Sequence, residues 1–243
     1  MRTLLAPTKN VAALQLAYEA LVTRDRGVPG MCLVYGYSGA GKTTAITALV
    51  NKTRGLYVRA TSQWTPTAML SAIMRELGAN PLHRRQAMLD HIKEQLTGSQ
   101  RPLFVDEADY LLRDADMLEA LRDVHDLSGA PVVLVGMQDI EKRLVHKRQL
   151  SRRLSHWVEF LPSDIEDART LASSVCEVQL DDELLLRLHG EADGSIGEMV
   201  VGMARIEALA KANGWKKVSG EQWADRKLFI GRAARPSRTD GQR

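Results

Sequence analysis

The run Gly36-Tyr37-Ser38-Gly39-Ala40-Gly41-Lys42-Thr43 constrains this chain more than any other feature. It matches the pattern GxxxxGK[ST], whose glycines let backbone N–H groups turn inward around phosphates while the following helix N-terminus adds partial positive charge. Such a loop works only between a strand and a helix. The apolar run Met31–Tyr35 precedes it after a Pro29-Gly30 break, and Lys42–Lys52 reads as the helix it opens.

The spacing assigns chemistry. Gly36, Ser38, Gly39, Ala40, Gly41, Lys42, Thr43 and Thr44 are expected around the phosphates of ATP. Lys42 would reach the β- and γ-phosphates, and the Thr43 hydroxyl would coordinate Mg²⁺. A second apolar run, Leu103-Phe104-Val105, ends in Asp106-Glu107. A strand ending in two acids is the Walker B arrangement: Asp106 would hold Mg²⁺ and Glu107 would polarise the attacking water. The expected activity is ATP hydrolysis.

The rest of the chain alternates. Asn10–Thr23 has an approximate helical period, and Leu56–Ala60 is a short strand. Thr65-Pro66 suits a helix start, with proline at the first helical position, for a helix to about Leu77, followed by His83–Leu96. Strand Pro102–Val105, helix Met117–Leu127 and strand Val132–Val135 come next. Asp139–Leu154 reads as mostly helical, and Trp157–Phe160 as a last strand. Beyond Pro162 strand patterns stop, and Asp164–Val175, Asp181–His189 and Ser195–Ala212 read as helices. The expected organisation is an N-terminal helical segment (1–29), an α/β core (30–161), a helical lid (162–215) and a basic tail (216–243), its end from Ala233 disordered.

No apolar run approaches the roughly 20 residues of a membrane span, and Met1–Asn10 lacks a secretion-signal pattern. A cytoplasmic protein is expected. Cys32 and Cys176 read as buried small hydrophobes, not a disulfide or metal pair. Net charge is +3, with basic clusters at Lys142–Arg153 and in the tail that can neutralise phosphates or form solvated faces.

Asp106-Glu107-Ala108-Asp109 after the phosphate loop, followed by a helical lid, resembles the AAA+ class. The stretches RPLFVDEADYLL (Arg101–Leu112), LEALRDVHD (Leu118–Asp126), PVVLVGM (Pro131–Met137) and QLSRRLSHWVEF (Gln149–Phe160) resemble the DNA-transposition ATPases, the Mu-type phage transposition protein B and its transposon-encoded relatives. The resemblance covers roughly residues 5–215. It implies a protein that oligomerises on duplex DNA with ATP, in places as a helical filament, and delivers that DNA to a transposase it stimulates. It also implies an arginine supplied to the neighbouring subunit's site, with Arg152 the first choice and Arg153 the second.

The sequence departs from that family's pattern. Gly136-Met137 stands where a polar sensor belongs, leaving Gln138, and Gly197-Glu198 stands where the lid offers an arginine, with Arg205 two turns on. Slow intrinsic hydrolysis follows. The segment before the core strand is too short for a separate DNA-binding module, so the ATPase domain itself should grip DNA. Candidate contacts are Lys52, Arg54, Arg59, Arg84, Arg85 and the basic tail. Trp64 could approach a base, although a tryptophan there more often packs at a helix start. Binding should be phosphate-dominated and weakly specific. Alternatives are a helicase-loader or replication-initiator-like ATPase, and a nucleotide-dependent scaffold that binds no DNA.

Overall fold

A computed structural model describes residues 1–25, 27–99 and 101–230. Five strands, β1 (Met31–Gly36), β2 (Leu56–Arg59), β3 (Leu103–Asp106), β4 (Val132–Val135) and β5 (Leu154–Phe160), form one parallel sheet in the order β2-β3-β4-β1-β5. Central strands β3 and β4 are buried along their whole length. Apolar residues without alternation are what a parallel sheet covered on both faces requires.

Each face has its own core. On one, α1 (Lys9–Val22) and α2 (Lys42–Thr53) set Val11, Leu14, Leu21, Ile46 and Leu49 against the β-strand side chains Cys32, Val34, Phe104 and Val133. On the other, α3 (Pro66–Glu76), α4 (Arg85–Ser99) and α5 (Ala115–Ser128) bury Ile73, Met88, Ile92, Leu121 and Val124 against Leu33, Val58, Val105 and Leu134. The Thr65 hydroxyl caps α3 by accepting from the Ala68 N–H at 3.2 Å, with Pro66 at the first turn as the sequence indicates. Trp64 is partly buried and packs on this second core.

Asp139–Leu154 is mostly helical, as expected, in two pieces, α6 (Ile140–Val145) and α7 (Arg148–Ser151), separated by a turn, but the last strand, expected from Trp157, begins at Leu154. Pairing with β1 creates that early start, with Met31 opposite Leu154, then a register shift that sets Cys32 opposite His156. The supposed tail from 216 also enters the fold. After α8 (Ile165–Val175), β6 (Gln179–Leu180), α9 (Asp182–Ala192) and α10 (Ile196–Ala212), strand β7 (Lys217–Val218) pairs with β6, and α11 (Gly220–Trp223) follows. Val218, Trp223 and Leu228 are buried in the lid core with Leu171, Leu188 and Met203. The helical unit therefore extends at least to Leu228. Ala233–Arg243, expected to be disordered, lies outside the described residues.

The N-terminal segment ties lid to core. The Asn10 side chain donates to Leu161 O (2.8 Å) and accepts from Leu161 N (3.2 Å), fixing the link between β5 and α8. The Lys9 ammonium pairs with Asp164, and its N–H meets Asp167 Oδ1 at 2.8 Å. Both cysteines are buried and unpaired, their thiols pushed up to about 12 (Cys32) and about 11 (Cys176), chiefly by burial. Among the described residues, no helix is long and apolar enough to cross a membrane.

Candidate nucleotide site

The phosphate loop leaves β1 where no side chain fits. Gly36 has φ +136°, and a Cβ there would lie 2.2 Å from Phe160 O. Gly39 (φ +82°) and Gly41 (φ +89°) turn the loop, and Lys42, Thr43 and Thr44 form the first turn of α2. The Lys42 ammonium is folded back on its own loop, donating to Gly36 O at 2.6 Å and Tyr37 O at 2.7 Å. Burial lowers its pKa, while Asp106, Glu107 and Asp109 pull the other way. A triphosphate would offer better acceptors than two carbonyls and would relieve that desolvation.

The strand order puts the carboxylates beside this loop, β3 being separated from β1 only by β4. Asp106 is buried, with Oδ1 accepting from Glu107 N (2.9 Å) and Oδ2 from the Tyr57 hydroxyl (2.6 Å). Burial, then the Asp106 carboxylate, raises the Tyr57 pKa well above its ordinary value, so the phenol remains a donor. Glu107 adopts φ +54°, a left-handed conformation that costs a side-chain-bearing residue about 1–3 kcal/mol. Its Oε1 accepts from Arg59 Nη2 at 3.0 Å. The β2–β3 register sets Arg59 opposite Asp106, which puts the guanidinium within reach of Glu107.

The Thr43 hydroxyl and the Asp106 carboxylate form an all-oxygen donor set, the chemistry Mg²⁺ prefers. Asp106 is already oriented by two hydrogen bonds, as a metal-ligating carboxylate should be. The residues fit the ion.

The lid begins on the loop. Gly197 N donates to Gly39 O (3.1 Å), and a Cβ at Gly39 would meet Ser195 Oγ at 2.5 Å. Between them lies a cavity of about 170 Å³, lined by Tyr37, Ser38, Ala40, Pro162, Ser195 and Glu198 among others. Glu198 lines this cavity and Arg205 does not. Gln138 is exposed, and the Met137 N–H is taken by Asp109 Oδ2 at 2.8 Å.

Arg152 and Arg153 stand at the other end of the sheet, where Met31 N donates to Arg153 O at 3.0 Å. β1 separates them from their own phosphate loop by roughly 17 Å at the rise of a strand. Arg153 grips Asp126 through Nε (2.9 Å to both oxygens) and Nη2 (2.6 Å), whereas Arg152 is exposed and makes no ion pair among the described residues. The DNA candidates divide likewise. Lys52 and Arg54 lie where α2 gives way to β2, Arg59 at the opposite end of β2, and Arg84 and Arg85 at the start of α4, all exposed. Sequence reasoning missed Tyr57 and the pairing of Arg59 with Glu107. The signal was present: residues at matching offsets in two short strands become lateral neighbours.

The model of the AAA domain family matches residues 25–144, just under half of the chain. Among solved structures, Cdc6p from Pyrobaculum aerophilum is similar with a TM-score of 0.62 at 18% identity, over 88% of this chain and 64% of that one. The Aeropyrum pernix Orc1 protein, solved in complex with DNA, gives 0.57 at 17% identity, over 88% and 62%. The chain has the AAA+ P-loop NTPase fold. It spans somewhat under two thirds of both proteins. No curated protein matches its sequence. The transposase partner and the filament implied by the sequence resemblance have no counterpart in these comparisons.

Proposed function

We propose that this AAA+ protein is an ATP-hydrolysing switch that binds duplex DNA through its ATPase core, of the replication-initiator-like kind rather than the target-delivering partner of a transposase. The observation that carries the proposal is the Arg59–Glu107 ion pair. Arg59 is an exposed cation at the end of β2, and it holds the carboxylate that would polarise the attacking water. A DNA phosphate drawing Arg59 away would release Glu107, so DNA occupancy and hydrolysis would be linked through one side chain. The structural likeness to a protein solved with DNA supports the same direction.

In this mechanism the ATP phosphates replace Gly36 O and Tyr37 O as acceptors for the Lys42 ammonium. Asp106 and the Thr43 hydroxyl would hold Mg²⁺, which supplies charge neutralisation across the β- and γ-phosphates. Glu107, once free of Arg59, accepts the proton of the attacking water. The exposed Arg152, too far from its own loop, is offered to the site of a second copy, where a guanidinium stabilises charge on the transferred phosphoryl group. DNA contacts come from Arg59, Arg84 and Arg85, with Lys52 and Arg54 at a separate end of the core.

The test is ATP turnover and gel-shift on random duplex DNA at two salt concentrations, for wild type and Arg59→Ala. DNA should stimulate wild-type turnover and bind more weakly as salt rises. Arg59→Ala should turn over faster than wild type without DNA and lose most of the stimulation. No DNA binding with any nucleotide would leave a nucleotide-dependent scaffold. Long ATP-dependent filaments that stimulate a transposase would restore the transposition reading.

A further inference from the structure

A polar side chain was expected at Gly136-Met137, at the end of β4, and none is there. What occupies the place is a carboxylate from β3's own outgoing turn. Asp109 lies in the short 3-10 helix Ala108–Arg113 that follows Glu107. Its Oδ2 accepts the Met137 N–H at 2.8 Å, and its Oδ1 accepts Arg143 Nη1 at 3.2 Å. Its backbone carbonyl accepts Arg143 Nη2 at 3.4 Å. Gly136 allows this approach: a Cβ there would lie 3.0 Å from Asp109 Oδ2 and 2.4 Å from the Ile140 side chain.

We propose that Asp109 is the positioning residue of the hydrolytic site, clamping the turn that carries Asp106 and Glu107 to the end of β4 and, through Arg143, to α6. Geometry makes the case. Glu107 sits in a left-handed conformation at the start of the turn, where the Tyr110 N–H ties its carbonyl to the short helix at 3.0 Å. Besides this tie and the Arg59 pairing, the turn is fixed by the Glu107 N–H on Asp106 and by the Asp109 carboxylate on two neighbouring elements. The backbone at Met137 is fixed by the same carboxylate, so the end of β4 and the water-polarising acid keep one spacing. Arg143 belongs to α6, the first of the two short helices that lead to Arg152. The clamp therefore also sets the arm whose arginine is offered to a second copy. Asp109 spends its carboxylate on Met137 N and Arg143, and so acts through Glu107.

This inference rests on the hydrolytic reading above, and the experiment separates the two. Affinity for a fluorescent ATP analogue and steady-state turnover are measured with DNA for wild type, Asp109→Ala, Asp109→Asn, Arg143→Ala and Arg143→Lys. Asp109→Ala should bind the analogue within about twofold of wild type while kcat falls about 10- to 100-fold, the cost of a misplaced reacting group. Asp109→Asn, which still accepts the Met137 N–H, should fall less, and Arg143→Lys should retain more turnover than Arg143→Ala. Should Asp109→Ala fail to fold, Asp109→Asn and the two Arg143 variants carry the same comparison. Unchanged kcat in the folded Asp109 variants, or a loss confined to analogue affinity, would overturn the clamp alone. Absence of turnover in wild type, with or without DNA, would overturn the hydrolytic reading and the clamp together.

Discussion

Replacing Tyr57 with phenylalanine isolates one hydrogen bond, from the phenol to Asp106 Oδ2 at 2.6 Å. Asp106 is 7% exposed, so water cannot fully replace the lost donor. A hydrogen bond to a charged group contributes about 1.5–3 kcal/mol, and the half-buried position of Tyr57 argues for the lower end, about 1.5 kcal/mol. In a chain of 243 residues that corresponds to a Tm lowered by about 3–6 °C. The functional effect should be larger. Removing an outer partner of a metal-ligating carboxylate typically weakens metal affinity about 10- to 100-fold. Thermal unfolding without nucleotide checks the first figure. Mg²⁺ titration of ATP-analogue binding checks the second, with Mg²⁺-free binding as the control that should not change. An unchanged Tm with an unchanged Mg²⁺ requirement would refute the assignment of Tyr57 as the orienting donor. Tighter Mg²⁺ binding would also refute it, since the hydroxyl would then compete with the ion.

Other outcomes follow from the same geometry. Arg152→Ala should preserve nucleotide affinity and stability yet abolish turnover in assemblies, whereas Arg153→Ala should mainly lower stability; mixing Arg152→Ala with Glu107→Gln subunits and measuring recovered turnover checks the exchange between copies. The Arg153 guanidinium, the largest cause, lowers the Asp126 pKa below its ordinary 3.8. The pair's contribution is therefore present above that value and lost as pH falls through the lower folded-state pKa. Asp126→Asn should cost about 1 kcal/mol at pH 7, allowing for solvent exposure, and in acid unfolding the difference from wild type should shrink as pH falls below 3.8 and vanish beneath the lower folded-state pKa. Gly36→Ala should destabilise by more than the about 1–3 kcal/mol of left-handed strain, because its Cβ would also meet Phe160 O at 2.2 Å; denaturant unfolding measures this.

What the sequence made legible follows the range over which each feature is determined. The phosphate loop, the Asp106-Glu107 pair and the Thr65-Pro66 helix start are written in consecutive residues, and the parallel sheet follows from strands that alternate with helices. Leu154-Ser155-His156 has no strand pattern of its own, and its extended form comes from lying beside Met31 and Cys32 across a register shift. Trp223 and Leu228 lie on either side of Asp225-Arg226-Lys227, and the basic composition of the segment concealed two side chains that complete the lid core. The site divides in the same way. Glu107 can be found by its neighbour in the chain, but its ion pair with Arg59 depends on Leu56 pairing with Leu103 and on no slip before Asp106. A one-residue shift would turn Arg59 to the opposite face of the sheet and leave the acid without its cation. The Arg59–Glu107 pair thus resides in sheet register, which explains why consecutive residues reveal the acid and not its cation.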